Sequence, residues 1–345
     1  MRITIKEIAK LAGVSQATVS KIINNYQDVG EDTKKRVLKI MEEKGYRPSH
    51  SAKTLASKVT NVIGVLYAGK VNVGFNHPFF VDVMDMFKKK IGYLGYDLMF
   101  FSNEKFFLDE EDYLARCLHY NVDGCIIIGG EDIQESVYDV DKSPIPCIGI
   151  DIKLTGEQSG YLMTDNYKVS SKVVEHYYLL GHREIAYIGG KKDSVIADIR
   201  LSAFREVMGQ YGLPVREEMV KYGDFFEGSG YRAMKELLHA PVPPKAVFAA
   251  SDLMAFGAIQ AIKEHGLKVP DDISVIGCDD ISAAKHIDPP LTTVRQDSER
   301  IGNLAARMLF DLINHRINST SVMVEPELMV RKSSGPAYSQ TLMGS

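Results

Sequence analysis

Apolar residues return at helical spacing from the start of the chain. Ile5, Ile8, Ala9 and Ala12 fall on one face of a segment opened by Thr4 and Glu7, the S/T-x-x-E pattern of a capping box. Gly13 supplies the positive φ that a tight turn after it requires, and Ser15 is placed to cap a second helix. Val19, Ile22 and Ile23 form the buried stripe of that helix. Gln16, Ala17, Thr18 and Lys21 stay outside, as small, polar or basic groups suited to base edges in a major groove. An ordinary helical hairpin has the same apolar pattern. A third helix is predicted from a cap at Asp32 to about Lys44, with Val37, Ile40 and Met41 inward and Gly45 at its end. Pro48 then breaks the pattern. Residues 49–57 hold only enough for a short helix that orders on docking.

From Asn61 the period changes. Apolar runs at 62–68, 97–102, 124–129 and 147–151 alternate with helical stretches, and a second series follows at 184–190, 220–224, 246–252 and 274–280. Two successive βα series imply two parallel-sheet lobes with helices on both faces, and a ligand site beyond the carboxyl ends of the strands. The last dozen residues, from about Ser333, read as a loose tail.

Charge sharpens this division. The 345 residues carry a formal net charge of −4, but the first 60 hold 12 Lys/Arg against 6 Asp/Glu, a net +6. The remaining 29 Lys/Arg and 39 Asp/Glu leave −10, so a basic head precedes an acidic body. No apolar run of about 18 residues occurs, and the N-terminus lacks the charged-then-apolar run of a signal peptide. Cys117, Cys125, Cys147 and Cys278 are scattered without a C-x-x-C pair, so neither a metal site nor a cofactor is expected, and the protein reads as cytoplasmic and reduced. There is no G-x-x-x-x-G-K-[ST], G-x-S-x-G or H-E-x-x-H, which argues against an enzyme.

In order and spacing, Thr4–Asn24, Gly45-Tyr46-Arg47-Pro48, Ala52–Ala56, His77-Pro78-Phe79-Phe80, Asp123-Gly124, Asp165-Asn166, Leu180-Gly181-His182, Ser251-Asp252, Val275–Asp280 and Pro290–Thr293 resemble the LacI/GalR family of bacterial transcriptional regulators. The resemblance implies an N-terminal all-α helix-turn-helix head joined by a hinge helix to an α/β two-lobed, periplasmic-binding-protein-like domain. The expected division is a head at 1–47, a hinge at 48–60, and an effector and dimerisation domain at 61–333, with a tail at 334–345. One lobe takes 61–163 plus 295–322, the other 164–294 plus 323–333. The family implies a homodimer on a near-palindromic double-stranded DNA operator, and a small effector controlling it, for which a sugar or a derivative is the expectation.

Carried over by similarity, the DNA-binding positions are Thr4, Ser15, Gln16, Ala17, Thr18, Ser20, Lys21, Asn24, Tyr46, Ala52 and Leu55. Many members have Arg where Lys21 stands, and Lys is a point charge where Arg grips guanine with a fork. Leu55 occupies the place of a minor-groove wedge, or alternatively packs against its dimer mate. The effector positions are Phe79, Asp151, Asp165, Arg200, Phe225, Ser251 and Asp279. An Asp acceptor facing an Arg fork suits vicinal hydroxyls, with Phe79 and Phe225 as flat walls. Asp279 as a turn cap, Arg200 as a partner for a carboxylate and Phe79 as plain core are the competing readings. Gly223-Asp224-Phe225 resembles purine-responsive members, whereas Ser194 and Ile196 do not, which favours a sugar. The alternatives are a catabolite-control-type regulator whose corepressor is a phosphorylated carrier protein, and a cytosolic sugar-binding protein or enzyme with no DNA role.

Overall fold

The computed structural model describes residues 3–23, 26, 28–46, 59–69, 75–102, 112–130, 133–192 and 194–337. Asn24, Ala52 and Leu55, named above for DNA contact, lie outside the described residues, as does most of the expected hinge. The chain divides into two compact units, Met1–Val62 with Asn121–Asp123, and Ile63–Tyr120 with Gly124–Ser345.

The first unit carries α1 (Ile5–Ala12), α2 (Gln16–Ile23) and α3 (Glu31–Glu43). Thr4 and Glu7 close the capping box in both directions, and Gly13 ends α1 at φ 65°. Ser15 Oγ accepts from Thr18 N at 3.0 Å. Ile8, Ala9, Ala12, Val19, Ile22, Val37 and Met41 make a seven-residue core, with Ile40 and Tyr46 packed against it. Asp32 does not cap α3: Gly30 holds that position without a side-chain bond, and Asp32 lies in the first turn beside Glu31. Both acids there favour the positive end of the helix dipole.

The second unit holds two six-stranded sheets. Lobe one contains β1 (Val62–Tyr67), β2 (Asp97–Phe100), β3 (Gly124–Ile128), β4 (Cys147–Ile150), β5 (Ser159–Thr164) and β11 (Thr320–Val324) in the order β11-β5-β4-β3-β1-β2. Lobe two contains β6 (Ala186–Gly189), β7 (Val220–Tyr222), β8 (Ala246–Ala249), β9 (Ser274–Asp279), β10 (Thr292–Arg295) and β12 (Glu327–Met329) in the matching order β12-β10-β9-β8-β6-β7. Only the outer pair departs from the match: β11 lies parallel to β5, whereas β12 lies antiparallel to β10.

The helices of lobe one are α4 (Pro78–Tyr93), α5 (Tyr113–Tyr120), α6 (Ser136–Lys142) and α11 (Ser298–Ile313); those of lobe two are α7 (Asn166–Leu179), α8 (Val195–Gln210), α9 (Glu227–Leu238) and α10 (Asp252–Glu264). Buried strand faces and helix stripes form one apolar core per lobe, one centred on Phe87, Ile126 and Leu309, the other on Tyr187, Phe204 and Phe248. The chain passes between the lobes three times, after β5, after β10 and after β11.

Four strands escaped the apolar-run reading: β5, β10, β11 and β12. The end of the chain also differs from expectation. Ser333 Oγ donates to Val275 O at 2.6 Å, Gly335 N to Ser274 Oγ at 3.0 Å, and Ala337 N to Leu180 O at 2.8 Å. Residues 334–337 are therefore part of lobe two and not a loose tail, because their backbone groups finish bonds that β9 and α7 leave open. All four cysteines are reduced and buried. Among the described residues, no helix is long and apolar enough to cross a membrane.

Candidate ligand cleft and DNA-facing helix

On α2, burial of Val19 and Ile22 turns Gln16, Ala17 and Lys21 outward, with Thr18 and Ser20 half-buried. Ser15 and Thr4 are spent locally as helix caps. Lys21 Nζ is bound by the Asp28 carboxylate, whose pKa falls chiefly through that hydrogen bond. Both partners are about half exposed, at 49% and 55%, so water and other anions compete for the pair. Tyr46 is half-buried against the head core.

The larger site lies where the two lobes of the second unit meet, around roughly 570 Å³ of open space. Lobe one lines it with His77, Phe79 and Phe80 at the start of α4, Gly129 and Gly130 after β3, and Asp151 after β4. Ser194, Ile196, Arg200, Phe225 and Asp279 come from lobe two, and Gln296 from the crossing after β10. Every strand that contributes does so from its carboxyl end.

Several of these residues are held in costly backbone conformations. Asp151 (φ 54°), Phe225 (φ 67°) and Asp279 (φ 127°) all have positive φ without being glycine. Such strain persists only where the surroundings fix it, and it clusters at functional sites. At Phe225 the surroundings can be named. Its carbonyl accepts from Ser251 Oγ at 2.9 Å, and its ring lies over Gly190, where a Cβ would come within 2.2 Å of the ring.

Arg200 is buried on α8. Its Nε donates to Asn166 Oδ1 and its Nη1 to Ala250 O, both at 2.7 Å, leaving Nη2 for the cavity. The competing reading, a carboxylate as the partner of Arg200, is not what the structure shows: an amide and a backbone carbonyl hold it instead. Asp279 Oδ1 accepts from Gln296 Nε2 at 2.6 Å, while Asp279 Oδ2 is buried without a partner. Burial pushes the Asp279 carboxyl up, with His77, Arg200 and Gln296 opposing. Behind it, burial and Asp279 raise the Asp252 carboxyl well above its usual range, although Ile281 N and Thr293 Oγ1 donate to it. Asp151 is pushed up to about 6 by burial, with Arg200 opposing and Asp279 adding. Burial lowers His77, against the pull of Asp279.

Of the seven effector positions, the structure brings Phe79, Asp151, Arg200, Phe225 and Asp279 to one cavity and leaves Asp165 and Ser251 off its walls. Those two are N-caps: Asp165 Oδ1 accepts from Lys168 N at 3.1 Å, and Ser251 Oγ from Met254 N at 3.1 Å. An Asp or Ser between strand and helix serves a cap as readily as a ligand, which is why the sequence did not separate the two. Ser251 still supports the site through Phe225, and Asn166, one residue after Asp165, is the group that reaches Arg200. Phe79 is both wall and core at 3% exposure. His77, Phe80 and Gln296 were missed. The first two stood in the quoted His77–Phe80 motif, but nothing local marks Gln296. Among the described residues there is no cluster of metal-ligating side chains.

Comparison with known proteins agrees with this architecture. Residues 4–49 match the model for bacterial regulatory proteins of the lacI family, and residues 174–334 that for a periplasmic binding protein-like domain. The probable HTH-type transcriptional repressor ExuR of Bacillus subtilis (strain 168) is 34% identical over 333 residues, covering 96% of this chain and 98% of that one. The structure of the Lac repressor dimer bound to operator and the anti-inducer ONPF aligns with a TM-score of 0.84 at 27% identity, over 97% of this chain and 100% of that one. The complex of the transcriptional regulator CelR with cellobiose aligns at 0.71 and 30% identity, over 96% and 100%.

Proposed function

This chain belongs to the lacI family of bacterial regulatory proteins, and from that premise we propose that it is a cytoplasmic, homodimeric transcriptional repressor whose hold on a near-palindromic operator is set by a sugar or sugar derivative in the interlobe cleft. It is a regulator and not an enzyme. The observation that carries the reading is the pairing, in one chain, of a helix with an exposed polar N-terminal half and a strained, polar-lined cleft in a separate unit. The relatives support it from both sides, one by its operator complex and one by its bound cellobiose.

Gln16, Ala17 and Lys21 are assigned to base edges, with Thr18, Ser20, Asn24 and Tyr46 around them, and Thr4 and Ser15 at the helix ends. Residues 48–60 are assigned to the hinge, with Ala52 and Leu55 in the minor groove, where an apolar wedge trades unstacking energy for a bent, better-wrapped duplex. The effector acts by favouring one arrangement of the lobes. Linkage then requires operator and effector to change each other's affinity by the same factor.

Fluorescence anisotropy with a labelled operator tests this. Raising salt from about 50 to 200 mM should weaken binding by roughly tenfold or more, as counterions are displaced from several phosphates. A salt-insensitive affinity would remove the DNA-binding assignment.

A further inference from the structure

Lys21 is the one charged side chain on α2, and it stands one turn after Ala17 on the exposed face. It is held at both ends. Its carbonyl accepts from Tyr26 N at 3.0 Å, and its ammonium is bound by Asp28, seven positions further along the chain. Asp28 is itself fixed in place. Tyr26, two residues before it, carries that backbone bond, and Val29, directly after it, packs against the head core. The carboxylate is thus carried by the same packed head as the helix whose cation it binds.

Alone, Lys21 would be a point charge on a flexible four-carbon stem, as ready to meet a phosphate as a base edge. The bond to Asp28 changes this in two ways. One of the three ammonium donors is committed, and the other two are aimed by the carboxylate instead of sweeping an arc. The charge is also cancelled at short range, so α2 and its partner bring no net charge to the groove.

Docking on DNA favours the pair over its separated parts. Water competes for both half-exposed partners on the free surface and is excluded from a contact with bases. A carboxylate released from Lys21 would face the phosphates with no counter-charge, and like charges across an interface repel. Attraction to the backbone is left to the rest of the basic head, whose first 60 residues hold 12 Lys/Arg. Asp28 therefore weakens binding to every sequence, and least to the one whose base edge takes the aimed donors. That difference is specificity.

We propose that Asp28 is a specificity-determining residue of the DNA interface, a positioning residue acting through Lys21: it fixes the ammonium on one base pair and withholds it from the phosphates. This rests on α2 being the reading helix, and it adds to that helix a residue outside it.

The test begins with selection by the full-length protein from duplexes randomised over about 20 base pairs, enough for two half-sites one helical turn apart. Fluorescence anisotropy then compares the selected duplex, its single-base-pair variants and a scrambled duplex of the same composition. The chains compared are the unaltered one, Asp28→Asn, Asp28→Glu, Lys21→Met and the double variant. Asp28→Asn should bind the scrambled duplex roughly fivefold tighter at about 50 mM salt, with a log–log salt slope steeper by about 0.9 as Lys21 takes up one phosphate. It should also flatten discrimination at one base pair of each half-site, from roughly tenfold to roughly twofold. Asp28→Glu keeps the carboxylate and should keep the slope and most of the discrimination. With Lys21→Met already in place, Asp28→Asn should leave the base-pair profile unaltered, because no ammonium remains to be aimed. Both side chains are half exposed, so all variants should melt with the unaltered chain.

A profile and slope that Asp28→Asn does not move overturn the inference and leave the DNA-binding reading standing. Tighter generic binding with an intact base-pair profile overturns it as well, since Asp28 would then act only as a charge near the backbone. Failure of the unaltered chain to enrich any sequence overturns the inference together with the reading beneath it.

Discussion

The two lobes share one strand order but bring opposite chemistry to the cavity between them. Lobe one presents mostly aromatic and small groups, Phe79, Phe80, Gly129 and Gly130, with His77 and, as its one acid in the cavity walls, Asp151. Lobe two presents Arg200, Ser194 and Asp279 beside the apolar Ile196, with Phe225 folded over Gly190. A repeated scaffold can therefore hold a ring by its apolar face on one side and by its hydroxyl edge on the other. The division follows from position. Phe79 opens α4 and points into the core of lobe one, so it adds wall at no polar cost. Arg200 must instead be bonded from α7 and from the end of β8 before it can be buried at all.

The sharpest way to break that contrast is to remove the buried cation. Arg200→Ala would leave Asn166 Oδ1 and Ala250 O without their donor and Asp151 and Asp279 without a nearby positive charge. The expected loss is about 3–5 kcal/mol, read as a fall in Tm on the order of 10 °C, together with loss of ligand binding. A Tm within about 2 °C of the parent would mean that lobe two does not depend on its polar bed.

A smaller effect compares the two aromatic walls directly. Phe79 is 3% exposed and belongs to the core of lobe one, so Phe79→Ala should cost about 3 kcal/mol in a urea titration. Phe225 is only half-buried, so its truncation should cost about 1 kcal/mol, with the backbone strain at φ 67° left in place because Ala keeps the Cβ that causes it. Both variants should weaken ligand binding. A larger stability loss at Phe225 would place structural weight on lobe two and reverse the assignment of wall to lobe one.

How much of this was legible beforehand depends on whether the signal was local. The head was readable because the capping box, Gly13 and the stripe of Val19 and Ile22 are all local in sequence. The buried strands β1, β3, β4 and β8 were readable as apolar runs. β5 was not, because Ser159, Gly160 and Thr164 interrupt it, and β10, Thr292–Arg295, is half threonine. Those threonines suit their places: Thr293 Oγ1 donates to Asp252 Oδ1, and Thr292 Oγ1 accepts from Arg331 N at 2.9 Å. The site divides in the same way. Asp279 ends an apolar strand and could be found from pattern, whereas Gln296 gains its meaning only from a carboxylate 17 positions earlier in the chain.

The mildest expected effect concerns Asp151, the one acid that lobe one gives to the cavity walls among the described residues. Burial raises the folded pKa of Asp151 from an ordinary 3.8 to about 6. The folded protein therefore holds that proton more tightly than the unfolded chain does. The stabilisation this gives is complete below pH 4 or so and is lost as pH rises through about 6. At pH 7 the ionised carboxylate weighs against the fold. Asp151→Asn should accordingly raise Tm by a few degrees, roughly 1–2 kcal/mol, between pH 7 and 8, with the gain shrinking to nothing near pH 4. Differential scanning fluorimetry across that range, without ligand, reads it directly. A fall in Tm at pH 7 would show that the carboxylate serves Arg200 as a counter-charge by more than its burial costs. The polar bed would then extend from lobe two into lobe one.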